Sequence, residues 1–117
     1  MDDVELKKRT KQFALRVMKL VAALPVNFVG KSIGSQLIRS ATSVGANYRA
    51  ACRGRSKAEF IAKLQIVIEE ADESCYWLEL IIEGELLPIA KVEQLLDEAN
   101  QITAIMVASR KSAQNRP

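Results

Sequence analysis

The chain of 117 residues has room for one domain with its own core and little for a second. Hydrophobic content of 49% is normal for a globular protein, and five glycines with three prolines are too few to interrupt long helices. Net charge is +3 and histidine is absent, which removes the commonest general base and the usual activator of a serine or cysteine nucleophile, so no enzyme active site is expected.

The start, Met1-Asp2-Asp3, is acidic and precedes no signal-like apolar run. The longest apolar stretches, Leu20 to Pro25 and Ile102 to Ser109, fall well short of the ~20 residues a membrane span requires. A cytoplasmic location without membrane partners is the expectation.

Taken in chain order, the first helix is predicted over about 3–24. Leu6, Phe13, Val17, Leu20, Val21 and Leu24 lie on one face, and Pro25 ends it by disfavouring helical geometry in the residue before it. The second helix, about 28–53, carries the seam Ile33, Leu37, Ala41, Val44, Tyr48 and Ala51. Its middle is rich in small residues. Gly45 costs ~1 kcal/mol relative to alanine within a helix, and implies either close approach of a neighbour or a local kink.

The third helix, about 57–83, opens on a capping box, Ser56-Lys57-Ala58-Glu59. Phe60, Leu64, Val67, Ala71, Ser74, Leu78 and Ile81 form one stripe, and Ile61, Ile68, Cys75 and Ile82 a second. So wide an apolar arc fits either self-association or a broad intramolecular core. Gly84 is the natural stop. The fourth helix, about 88–111, begins near Pro88 and buries Val92, Leu95, Leu96, Ala99, Ile102, Ile105 and Met106, and the polar tail after Lys111 is expected to fray. Four helices with short connections predict an all-α, up-down-up-down antiparallel four-helix bundle, one domain over residues 1–117.

Cys52 and Cys75 then lie on consecutive antiparallel helices. At ~1.5 Å rise per residue their heights differ by roughly 20 Å, beyond disulfide reach. Both read as small core residues rather than reactive thiols.

Charge is distributed unevenly. Residues 1–57 hold 12 Lys and Arg against 3 Asp and Glu, whereas residues 58–117 hold 5 against 11. In an up-down bundle the start of the first helix, the second turn and the end of the fourth helix share a pole. That pole collects Lys7, Lys8, Arg9 and Lys11, then Arg49, Arg53, Arg55 and Lys57, then Arg110, Lys111 and Arg116. Asp2, Asp3, Glu5 and Glu59 oppose them, while Glu79, Glu83, Glu85 and Glu93 fall at the other pole. A concentrated basic end attracts phosphate backbones by counterion release without reading sequence. Cations at helix C-termini also complement the macrodipole, and the pole is poor in aromatic residues on which bases could stack. Glu69, Glu70, Asp72, Glu73, Glu79 and Glu83 form an acidic side of the third helix, either a partner surface or a solvated face.

Other chemistry is disfavoured. A ferritin-like di-metal site needs Glu-x-x-His on two helices, and Gly30 and Gly34 do not belong to a phosphate-binding glycine loop. No metal or cofactor is expected.

Residues 35–44, Ser-Gln-Leu-Ile-Arg-Ser-Ala-Thr-Ser-Val, then Asn47, then Arg55-Ser56-Lys57-Ala58-Glu59-Phe60, resemble the four-helix bundle family of 23S rRNA intervening-sequence proteins. That family includes the accessory variability determinant of diversity-generating retroelements. The resemblance spans about residues 5–110 and implies a homopentamer of up-down bundles, with RNA or DNA and a nucleic-acid-processing protein such as a reverse transcriptase as partners. Where relatives usually read Ser-Asn-Ile-Ala-Glu-Gly, this chain has Ala46-Asn47-Tyr48-Arg49-Ala50-Ala51. If that glutamate pairs with an arginine in relatives, Arg39 or Arg55 here lacks that partner. The leading expectation is a non-enzymatic oligomeric bundle binding RNA or another polyanion through Lys7, Lys8, Arg9, Lys11, Arg49, Arg53, Arg55, Lys57, Arg110 and Lys111. The rival is a protein–protein adaptor that does not bind nucleic acid.

Overall fold

Each amphipathic stretch forms a helix in the computed structural model, which describes all of residues 1–117. The helices are α1 (Asp3–Ala22), α2 (Phe28–Cys52), α3 (Lys57–Glu83) and α4 (Glu93–Gln114). The N-termini of the first three are closed by short polar side chains. Asp2 accepts from the Glu5 amide at 2.8 Å, Asn27 from Gly30 at 2.8 Å and Ser56 from Glu59 at 3.1 Å. The expected capping box is extended by one residue, since the Glu59 carboxylate accepts from the Arg55 amide at 2.6 Å.

Connections of five residues or fewer join α1 to α2 and α2 to α3, so neighbouring helices must run antiparallel. The result is a rod of 50 × 20 × 19 Å. All four predicted seams turn inward: Phe13, Val17, Leu37, Val44, Leu64, Leu78, Ile102 and Met106 are almost wholly buried. α3 lies between α2 and α4, and both of its stripes pack against the core. The wide arc is therefore used within the chain. No helix is long and apolar enough to cross a membrane.

Helix ends differ from expectation for local reasons. α1 stops at Ala22, because Ala23 and Leu24 bond three residues back, to Leu20 and Val21, as the chain tightens before Pro25. Pro88 is extended rather than helical, and a 3₁₀ turn (Ile89–Lys91) follows it and delivers Val92 into the core before α4 begins at Glu93. The tail is ordered further than predicted. α4 continues to Gln114, Ala113 is buried, and the Lys57 ammonium donates to the Arg116 carbonyl.

Gly84 caps α3 in the right-handed region, and the left-handed residue is Glu85, with φ of 56°. Leu86 bonds to the Ile81 carbonyl and Glu85 to that of Ile82, which makes a Schellman turn with a side chain where glycine is usual. At Gly45 the helix is unbroken, and an added Cβ would lie 3.3 Å from Thr10 Oγ1. Close approach of α1, rather than a kink, accounts for that glycine. Between α2 and α3 the buried hydroxyls of Ser40 and Ser74 lie 2.9 Å apart, and Ser74 also reaches the Glu70 carbonyl at 2.9 Å. With Ser40 donating to Ser74 and Ser74 to Glu70, both protons are placed.

Relieving the left-handed glutamate with Glu85→Gly is expected to raise stability by about 1 kcal/mol, read as a higher urea midpoint at unchanged slope. Ser40→Ala and Ser74→Ala are each expected to cost about 1 kcal/mol, the double variant costing less than their sum because either single change already removes the one hydrogen bond between the two hydroxyls. Chemical denaturation of the three variants measures that coupling.

Candidate nucleic-acid interface

Helix direction decides which charges meet. Asp3, Ala51, Ser56, Lys57 and Ala113 line a single cleft, so the start of α1, the end of α2, the start of α3 and the end of α4 do share one pole. The ten residues predicted to bind nucleic acid divide there into two groups. Lys8 and Lys11 on α1, Arg49 and Arg53 at the end of α2, Arg55 and Lys57 at the turn into α3, and Lys111 on the last turn of α4 are exposed and form no ion pair. The other three are engaged. Lys7 sits 3.6 Å from Asp3. Arg9 grips Glu98 of α4 with two hydrogen bonds of 2.7 Å, a bidentate clamp across the α1–α4 seam. Arg110 is half-buried and donates to Gln65, with its Nε buried and unpartnered.

Of the four local carboxylates only that of Glu5 has no partner. Asp2 and Glu59 are held at helix N-termini by backbone amides, and Asp3 faces Lys7. Glu79, Glu83, Glu85 and Glu93 are without ion pairs at the opposite end. The acidic side of α3 is less free than its sequence implies, because Arg39 binds both Glu70 and Glu73, and Glu73 also accepts from Trp77 Nε1 at 3.0 Å. Arg39 thus has acidic partners on α3. Arg55 remains unpaired.

The pole also holds a two-lobed cleft that charge counting missed. One lobe, of about 460 Å³, is bounded by Ala51, Cys52, Ser56, Lys57 and Pro117; the other, of about 700 Å³, by Met1, Asp2, Ile105 and Ser112. Asp3, Phe60, Ala113 and Arg116 line both. Phe60 is half-buried and packs against the core, which is why its place in an apolar stripe disguised it. Beneath the cleft, burial and the neighbouring Cys52, Asp3 and Asp2 push ionisation of the Tyr48 phenol well above its ordinary range. Cys75 is buried elsewhere, between Asn100 and Thr103, and its thiol is raised chiefly by desolvation. No three His, Cys, Asp or Glu side chains are grouped to hold a metal ion.

Residues 2–108 match the family model described as 23S rRNA-intervening sequence protein. The chain belongs to that family. Among solved structures, it is similar to a protein with unknown function from the S23 ribosomal protein family of Bacteroides thetaiotaomicron. The two share 35% identity over 95% of this chain and 99% of that one, with a TM-score of 0.85. No curated protein matches. The family match takes in all of α1, α2 and α3 but ends within α4, so Arg110, Lys111, Ala113 and Arg116 lie outside it.

Proposed function

We propose that this member of the 23S rRNA-intervening sequence protein family is a non-enzymatic cytoplasmic bundle that binds RNA, or another polyanion, through its basic pole. One observation carries the reading: seven exposed cations from all four helices and the turn between α2 and α3 stand without ion pairs at one end of the rod, while most of the carboxylates there are tied to caps or to Lys7. Such a surface gains affinity by releasing counterions and reads phosphate rather than base sequence. A protein–protein adaptor docking through α3 is less well supported, since Arg39 already neutralises two of its carboxylates.

Assembly is part of the proposal. The outward face of α1 carries Leu15 and Met18, 44% and 51% exposed, with Lys8, Lys11 and Lys19. That of α3 carries Ile66 and Tyr76, 38% and 53% exposed, with Glu69. Contact between unlike faces of successive subunits is heterologous and gives a ring when the rotation between them closes, and the family resemblance implies five members. A parallel ring places every basic pole on one side, so that weak phosphate contacts add by multivalency. A nucleic-acid-processing protein is the partner such a ring would serve.

Charge reversal at Arg53→Glu with Arg55→Glu is expected to weaken retention of single-stranded RNA sharply at low salt. The wild-type salt slope should fall by about 0.7 for each phosphate that the protein no longer neutralises. Unchanged retention in a filter-binding titration would sink the RNA reading, and retention insensitive to salt would favour the adaptor. Native mass spectrometry is expected to give five times the 13.0 kDa chain mass, before and after nuclease treatment. A 13.0 kDa species in both would exclude the ring.

A further inference from the structure

The cleft at the basic pole is more than a gap between helix ends. Its floor is apolar, made by the buried Ala51 and Ala113 and the half-buried ring of Phe60. Its margin has two chemistries. Lys57 and the residue Arg116 are joined by the bond from the Lys57 ammonium to the Arg116 carbonyl, and Asp3, contributed by α1 and 3.6 Å from Lys7, is the one carboxylate that lines this lobe. A fatty chain would waste all three charges, and a bare phosphate would leave the apolar floor unused and meet the Asp3 carboxylate. What fits is a flat, partly apolar ring with hydrogen-bond donors at one edge and an anion at the other. A nucleotide has that pattern. The lobe of about 460 Å³ lies within the range of pockets that enclose small ligands.

We propose that this cleft receives the base of an unpaired nucleotide bearing an exocyclic amino group (adenine, cytosine or guanine). The ring rests against Phe60, the amino edge donates to Asp3, and the phosphate lies on Lys57 and Arg116. The proposal rests on the RNA reading of the pole and adds a selective element to it. Stacking on an aromatic ring tolerates any base, whereas a carboxylate acceptor favours bases that carry an N–H₂ group over uracil. Phosphates on either side of the captured nucleotide would lie toward Arg53 and Arg55, which follow the cleft residues Ala51 and Cys52 in the chain. One pole thus supplies a sequence-blind surface and, between its cations, a place for a splayed base or strand end. The walls formed by Ala113, Arg116 and Pro117 lie beyond residues 2–108, which match the family model.

Titrating the labelled full-length protein with AMP, UMP and ribose 5-phosphate tests this by amide chemical shifts. A short oligoadenylate and inorganic polyphosphate form the second arm. AMP and oligoadenylate are expected to shift the amides of Ala51, Cys52 and Phe60, UMP more weakly, and ribose 5-phosphate and polyphosphate not at all. Phe60→Leu, which keeps an apolar side chain in the stripe, is expected to weaken AMP binding about tenfold. Asp3→Asn is expected to abolish the preference for AMP over UMP, with the Asp2 cap left in place. Oligoadenylate retained through Arg53 and Arg55 without any shift at Phe60 would overturn the cleft and leave the basic-pole reading standing. AMP shifting the cleft while oligoadenylate is not retained would instead make it a site for free nucleotides, and would overturn the strand reading. Equal shifts from AMP and UMP that survive Asp3→Asn would overturn the role given to the carboxylate.

Discussion

Helix direction is the constraint on which the rest of this structure depends. A connection of four or five residues spans at most about 18 Å, far less than the length of the helices it joins. Each turn must therefore reverse the chain. Reversal places the end of α2 beside the start of α3 and, because α4 runs opposite to α3, brings the end of α4 to the same pole. A surface assembled from residues as distant as Lys8, Arg53 and Lys111 follows from that geometry alone. The core supplies the energy that holds it. The buried seams of α2 and α4 clasp both stripes of α3, the Ser40–Ser74 pair selects one register between α2 and α3, and the Arg9–Glu98 clamp ties α1 to α4.

Concentrating cations at one end has a local rationale apart from the proposed one. Two helices end there, and carbonyls without partners at a helix C-terminus favour a positive side chain; two others begin there and favour carboxylates. Asp2 and Glu59 meet amides at helix starts, while Arg49 and Lys111 lie in the last turns of α2 and α4. The helix ends thus hold both signs, but they hold the negative charges closely and leave the positive ones in solvent. At the far pole the logic is reversed. α3 ends on Glu83 with no basic residue in its last turn, and the left-handed Glu85 follows. Both features work against the helix terminus, and the Schellman turn bonds and core packing of α3 outweigh them.

Most of the helical architecture was legible in the residues because it rests on periodicity. Every position named in the α2 seam from Leu37 to Ala51 is buried, as are those of the first α3 stripe from Leu64 to Ile81. Ends were legible where a side chain closes them, as at Ser56, and where Gly84 stops α3. Pro88 deceived because its fixed φ suits both a first helical turn and an extended residue, and only the pull of Val92 into the core decides between them. Gly84 stops α3 as its residue type implies, while the hydrogen bonds around the turn place the left-handed position one residue on, at Glu85.

The candidate site divides in the same way. From its sequence the chain determined that it would form helices, which faces they would bury, and that positive charge would gather in its first half, because these depend on residue type and local spacing. Only the tertiary structure decided which cations stay free. Arg9 and Arg110 look like Lys8 and Lys111 in the sequence, but partners 89 and 45 residues away engage them. The cleft was also beyond the sequence, because Asp3, Phe60, Ala113 and Arg116 meet only when the ends of different helices share a pole. A meeting of residues far apart along the chain depends on packing direction and register, and no local pattern encodes both.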